Sequence, residues 1–159
     1  MAIAITLQEY LQKNDIHYDV LPHVYTHTSL GTARAANVPQ SQLAKPVILK
    51  DDKGYLMAII PATHQVKLGA LSRQMKRRLG LATEPELESL FSDCDRGAIP
   101  PVGEAYKMDM IVDDSLDACS DVYFEAGDHI DLIHVQHDQF SQLMQHAEHS
   151  SFSDAMWRR

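Results

Sequence analysis

Apolar positions along the chain change their spacing from segment to segment, and the changes predict the elements. Leu7, Tyr10 and Leu11 recur at helical intervals after Thr6-Leu7-Gln8-Glu9, whose Thr and Glu read as a capping box, so a short helix is expected to about Asn14. His17 to Pro22 reads as a strand. Thr28 or Ser29 is placed to cap a second helix through Ala33–Ala36, with Asn37 suited to a left-handed end and Pro39 to a stop. Leu43 to Lys50 predicts a strand, Asp51-Asp52-Lys53-Gly54 a turn, and Tyr55 to Ile60 a returning strand. That return is nearly all apolar, so both of its faces are expected to be covered. Leu68, Leu71, Met75 and Leu79 form one stripe of a helix from Gly69 to Leu79, with Gly80 as its end. Thr83-Glu84-Pro85-Glu86 is a second capping box, opening a helix to about Phe91.

A loop rich in Gly and Pro follows from Ser92 to Ala105, then a strand from Lys107 to Val112. Asp121–Ala126 and Ile130–Val135 read as a hairpin around Gly127-Asp128, and Asp138 as the cap of a last helix that buries Phe140, Leu143, Met144 and Ala147. Residues 148–159 show no clean period and read as a tail liable to fray, which leaves 1–147 as one domain. Hairpins outnumber crossovers in this order. The fold class expected is therefore α/β in the broad sense: a mixed, largely antiparallel, barrel-like central sheet surrounded by helices.

Composition narrows the class without choosing a function. The 159 residues suit a single core, and 45% hydrophobic with 23% charged residues is ordinary for a globular chain. No apolar run reaches membrane-spanning length and Met1 to Thr6 has no signal-peptide pattern, so a cytoplasmic protein without a membrane partner is expected. Cys94 and Cys119 lie in no CxxC and read as free thiols in a reducing compartment. The net charge of −8 argues against nucleic acid, but its distribution does not. Residues 1–83 carry ten Lys/Arg against five Asp/Glu, and residues 84–131 carry two against fourteen. One face able to meet a polyanion is compatible with that split, as is a charge spread only for solubility.

No phosphate-loop, dinucleotide, nucleophile-elbow or HExxH motif is present. His23/His27, His134/His137 and His146/His149 have pairwise spacings that a metal could use, but no Cys or carboxylate cluster supports them, so no metal and no cofactor are expected. Four groups of residues remain as candidates. Lys45, between Ala44 and Pro46 at the start of a buried strand, is pushed to an extended backbone by the proline; it reads as a fixed cation at a pocket mouth or as a snorkelling lysine. The loop Arg96-Gly97-Ala98-Ile99-Pro100-Pro101-Val102-Gly103 can present stiffened backbone N–H groups at a fixed point, or be an ordinary turn. Glu125-Ala126-Gly127-Asp128-His129 gathers two carboxylates and an imidazole, or is a solvated hairpin tip. Arg73, Lys76 and Arg77 are expected to point outward from the helix, against phosphates or simply into water.

Taken together these segments resemble the bacterial aminoacyl-tRNA deacylases of the YbaK/EbsC group, which includes the editing insertion domain of prolyl-tRNA synthetase. The residues that carry the likeness are Val38 to Lys45, Gly97 to Pro101, and Val122 to Gly127, in that order, within residues 5 to 147. The resemblance implies a cytoplasmic enzyme of translation fidelity that hydrolyses the ester of a mischarged aminoacyl-tRNA. A small amino acid (Ala, then Cys or Ser) on tRNA for proline is the first expectation. Its partners would be the aminoacylated 3′ end of tRNA and an aminoacyl-tRNA synthetase, with no DNA. It implies that Lys45 anchors the terminal nucleotide or the ester and that Gly97 frames the reacting group. It implies a pocket role for His129, with Ala98, Ile99, Pro100, Pro101, Gly103, Gly127 and Asp131 lining the substrate site. Pro46 departs from the Thr common after the lysine, and Glu125 stands where cysteinyl-type relatives carry a Ser. The alternative is a non-catalytic module of the same fold that binds tRNA or a nucleotide.

Overall fold

A computed structural model describes residues 3–26 and 28–156. Helix α1 (Ile5–Lys13) packs Leu7 and Leu11, one turn apart, into the core at zero exposure. Strand β1 (Asp19–Pro22) leads to α2 (Ser29–Ala36), which Thr28 caps by accepting the Gly31 N–H and which Asn37 ends in the left-handed conformation, as the pattern predicts. The hairpin of β2 (Ala44–Asp51) and β3 (Gly54–Pro61) then turns on Asp51, whose side chain accepts the N–H groups of Lys53 and Gly54. Next come β4 (His64–Val66), α3 (Leu68–Met75), β5 (Gly80–Leu81) and α4 (Glu84–Leu90), the last opened by the expected capping box of Thr83 and Glu86. The Gly/Pro loop leads into β6 (Asp109–Asp113), α5 (Asp114–Asp117), β7 (Asp121–Glu125), β8 (Asp131–Gln136), α6 (His137–Leu143), β9 (Glu148–Ser150) and β10 (Ser153–Ala155).

The class is mixed α/β, in a single domain. Five strands run in the order β5-β2-β3-β6-β9, three in the order β1-β8-β7, and β4 pairs with β10. The pairs β2·β3, β2·β5, β1·β8, β7·β8 and β4·β10 are antiparallel; β3·β6 and β6·β9 are parallel. The central sheet does not close into a barrel. A lone parallel bridge, Leu43 to Tyr123, links the start of β2 to β7. Strand β3 lies in the middle of the five and is buried from Leu56 to Pro61, which is why its apolar run lacks alternation.

Several local expectations give way to tertiary partners. Thr6 lies inside α1 and caps nothing: Ala4 is the N-cap, and the Thr6 N–H donates to Asp93 Oδ2 at 2.8 Å. Asp138 likewise falls within α6, where Gln136 is the N-cap and the His137 N–H donates to the Ser120 carbonyl. Helix α3 ends at Met75 with Lys76 left-handed (φ 55°), so Lys76 and Arg77 are not on its helical face and Gly80 starts β5 instead of ending the helix. The segment expected to fray is part of the fold over its described residues. β9 extends the central sheet, Phe152 is fully buried, and its N–H donates to Asp113 Oδ1 at 3.0 Å. No described helix is long and apolar enough to cross a membrane.

Phe152 packs with Leu49, Leu56, Ile60 and Ile111 in the second core cluster. Phe152→Ala is expected to destabilise the protein by about 3–5 kcal/mol, measured by urea denaturation; a frayed tail would lose almost nothing.

Candidate functional site

Strand β2 is paired to β3 along its whole length, but its other edge is covered unevenly. Leu49 and Lys50 pair with β5, and the Ala82 N–H donates to the Ile48 carbonyl at 3.0 Å. At the opposite end Leu43 bridges to Tyr123. Between these points the edge at Lys45, Pro46 and Val47 is open. Pro46 is tolerated there because an unpaired edge requires no N–H. A hollow of about 360 Å³ lies along this edge, at the small end of the range for ligand sites. β2 contributes Lys45 to Ile48, the β5–α4 segment Leu81, Ala82, Glu84 and Leu87, the loop Arg96, Gly97 and Ile99, and α2 its first residue, Ser29. Lys45 and Gly97, fifty-two positions apart in sequence, therefore meet in one cavity.

Lys45 is half-buried, and burial alone lowers its ammonium below the ordinary 10.5. Among the described residues no carboxylate contributes to that shift, so desolvation acts on the ammonium without a compensating charge. Arg96 stands at the same hollow, exposed and paired with Glu84 at 3.3 Å and Glu88 at 3.2 Å. Such exposed pairs are weak and open readily to a phosphate. The sequence names Arg96 only as the first residue of the loop, and gives no sign that Glu84 and Leu87 are site residues. The capping box that places Glu84 at the first turn of α4 was legible, but nothing in it says which cavity that turn faces.

The loop is held from behind by the β7–β8 turn. The Asp95 N–H donates to the Gly127 carbonyl at 2.7 Å, and the Arg96 carbonyl accepts from His129 Nε2. Gly127 permits this with φ 109° and with the N-terminal segment pressed against it: an added Cβ would stand 2.9 Å from the Ala4 Cβ. Gly97, at φ 80°, then turns the chain into the hollow. The Ala98 N–H is spent on the Asp95 carbonyl, whereas the Gly97 and Ile99 N–H groups have no acceptor among the described residues.

The candidate residues therefore fall into three sets. Lys45, Gly97 and Ile99 line the hollow. Ala98, Pro100, Pro101 and Gly103 are buried and do not line it; Gly103 packs against Met57 and Met110. His129 is 2% exposed behind the loop and does not reach the hollow, so the hairpin tip is an interior group and not a solvated one. Asp128 Oδ1 accepts the Ile130 and Asp131 N–H groups, and burial, reinforced by Asp128, raises the Asp131 carboxyl. None of Arg73, Lys76 and Arg77 lines the hollow either. Arg73 and Lys76 are exposed, but Arg77 turns inward onto Asp51, with Nε–Oδ2 at 2.7 Å and Nη2–Oδ1 at 2.8 Å. That two-point ion pair spans the β2–β3 turn and removes Arg77 from the expected outward set. Of the histidine pairs, His27 lies outside the described residues. His134, His146 and His149 each face a carboxylate, and no described group of three ligand side chains could hold a metal ion.

A family model for the aminoacyl-tRNA editing domain matches residues 23–143. No curated protein matches the chain. Among solved structures, a candidate trans-editing enzyme for prolyl tRNA synthetase superposes with a TM-score of 0.81 at 21% identity, over 96% of this chain and 97% of that one. The hypothetical protein APE2540 gives 0.82 at 20% identity, over 94% and 99%. A candidate signal-transduction protein from Marinobacter aquaeolei VT8 gives 0.78 at 21% identity, over 96% of this chain and 31% of that one. At these identities the structures establish a shared fold.

Asp51 is held well below the usual carboxylate range by the Arg77 hydrogen bonds, and Glu86 is lowered to about 2, first by Lys50 and then by Tyr55. Both acids are depressed in the folded state, so their stabilisation is complete above their ordinary values and is lost as the pH falls. Thermal melts are expected to drop progressively below about pH 4.5 toward pH 2. Arg77→Ala is expected to lower the melting temperature at neutral pH without tRNA present and to flatten that acid limb.

Proposed function

As this chain belongs to the aminoacyl-tRNA editing domain family, we propose that it is a deacylase acting in trans, hydrolysing the ester between a small amino acid and tRNA. One observation carries the reading: the half-buried Lys45 and the Gly97–Ile99 backbone share a single hollow. An aminoacyl ester is already activated. Its hydrolysis needs positioning and stabilisation of a tetrahedral oxyanion more than it needs a strong nucleophile.

In this scheme Lys45 holds the phosphate or ribose of the terminal nucleotide. Arg96, released from Glu84 and Glu88, offers a second cation to the backbone. The Gly97 and Ile99 N–H groups point at the carbonyl oxygen. Water adds to the carbonyl carbon, and the ester C–O bond breaks. The departing ribose oxygen takes up a proton, releasing the amino acid and intact tRNA. His129 spends its Nε2 proton on the Arg96 carbonyl and is shut away from the hollow. That favours the neighbouring ribose hydroxyl, over this ring, as the group that orients the water. The aminoacylated 3′ end is then the partner, in a cytoplasmic setting where a synthetase supplies the mischarged tRNA.

Selectivity is proposed to be a size sieve. Val47, Ile48, Leu87 and Ile99 give the hollow an apolar part beside its charged residues, and a synthetase excludes a residue one methylene too small by only about 10–200-fold. Alanine is the first choice, ahead of cysteine and serine, on tRNA for proline. The fold shared with a candidate trans-editing enzyme for prolyl tRNA synthetase supports that tRNA as the first to test.

A panel of mischarged tRNAs tests both the activity and the substrate, with Ala-tRNA for proline expected to turn over fastest. Lys45→Ala is expected to retain less than about a tenth of the rate, as for loss of one transition-state contact. Retention above that level removes the anchoring role, and tRNA binding without any ester loss would favour the non-catalytic module. Ile99→Ala is expected to admit the next larger amino acid, narrowing discrimination by about tenfold, read as the ratio of kcat/KM values.

A further inference from the structure

Behind the hollow lies a buried polar group that the reaction scheme leaves unused. Glu125 closes β7 after the apolar Val122–Phe124 and is 5% exposed. Its Oε2 accepts the Thr32 hydroxyl from α2 at 2.8 Å. Thr26 stands 2.5 Å from Thr32, and because Thr32 gives its proton to the carboxyl group, Thr26 is the donor of that pair. Two rings face the carboxyl group: His23, following β1, with Nε2 3.9 Å from Oε1, and His129, from the β7–β8 turn, with Nδ1 3.9 Å from Oε2. Asp128 adds a negative charge from the same turn. The His23 side chain has no solvent exposure, and neither its Nε2 nor Glu125 Oε1 has a hydrogen-bond partner among the described residues.

Backbone carbonyls decide which nitrogen of each ring carries a proton. His23 Nδ1 is 2.7 Å from the Val24 carbonyl, and His129 Nε2 meets the Arg96 carbonyl. A carbonyl can only accept, so both of those nitrogens are protonated and each ring, when neutral, turns a lone pair to Glu125. An ionised carboxylate confronted by two lone pairs in a dry site is unfavourable. One further proton on the group converts such a contact into an attractive one. Burial acts in the same direction, raising the Glu125 carboxyl above its ordinary value against the opposing effects of Thr32 and the two rings.

We infer that Glu125 is a positioning residue for the hollow: the proton it shares with His23 and His129 sets the His129 ring, and that ring sets the Arg96–Gly97 turn. Loss of the proton at higher pH loosens the ring from the Arg96 carbonyl and moves the Gly97 N–H relative to Lys45. The inference rests on the hollow being the working site, although not on which ester is cleaved there.

The test follows the Gly97 and Ala98 amide resonances of the full chain in a titration upward from the ordinary carboxyl range, because burial raises the Glu125 carboxyl. In the native protein both are expected to shift with a common midpoint. Glu125→Gln has no carboxyl proton to lose and keeps an acceptor for Thr32, with its N–H turned to His23 on the Oε1 side, so the two resonances are expected to lose the native titration. Thr32→Val removes a donor that favours the anion, so the midpoint is expected to move to higher pH. Flat resonances in the native protein overturn the inference. So does a Glu125→Gln profile that follows the native one, or an unmoved midpoint in Thr32→Val. In deacylation, Glu125→Ala is expected to lower kcat by about tenfold to a hundredfold with KM little changed, and Glu125→Gln to restore it with a flattened pH profile. If no mischarged tRNA is cleaved, the hydrolase reading fails while the amide shifts still decide the positioning role.

Discussion

The site depends on two hydrogen bonds between the β7–β8 turn and the residues just before Gly97. One fixes Asp95 through the Gly127 carbonyl, and the other fixes Arg96 through the His129 ring. Together they hold a loop of prolines and glycines at a set distance from a strand edge that has no partner of its own. Without them the loop would be placed by the burial of Ala98 to Val102 and by the exposed, weak pairs of Arg96 with Glu84 and Glu88. The turn can act as this clamp because Gly127 lets the backbone fold against Ala4, where a side chain would collide. Three segments far apart in sequence thus converge on one point: the N-terminal stretch, the loop and the second hairpin.

The other wall follows from uneven strand pairing. Every residue of β2 pairs with β3, yet on its far side β2 is covered only at its two ends. The open stretch coincides with Lys45 and Pro46, a residue that carries charge and one that lacks a donor. An edge with fewer backbone groups to satisfy can be left beside a cavity at little cost. The lysine is then desolvated by position alone.

Much of this was legible in the sequence, and the failures share a cause. The β2–β3 hairpin, the Thr28 and Thr83 caps, the left-handed Asn37 and the all-apolar β3 rest on local chemistry, and local chemistry decided them. Thr6 and Asp138 sit beside helix starts with the right side chains, but the N–H groups there are taken by Asp93 and Ser120, partners distant in sequence. Arg77 looked like an outward cation because its periodicity was extended past Met75; a left-handed Lys76 redirected it to Asp51. The pairing of Lys45 with Gly97 followed from a family likeness, whereas the burial of Glu125 and the clamp role of His129 did not. A hairpin turn bearing two acids and a histidine reads as solvated until the segments covering it are known.

The C-terminal strands carry a consequence for biogenesis. β6 pairs in parallel with β3 on one side and with β9 on the other, and Phe152 fills the core beneath them. While the ribosome still shields residues 148–155, β6 has an exposed edge and the core a vacancy. Such an edge is a template for association between nascent chains. Parallel pairing at long sequence separation also closes slowly. The β6 edge is therefore closed to self-association only once residues 148–155 have emerged and paired with it, so the last strand of the central sheet to be synthesised is also its cover.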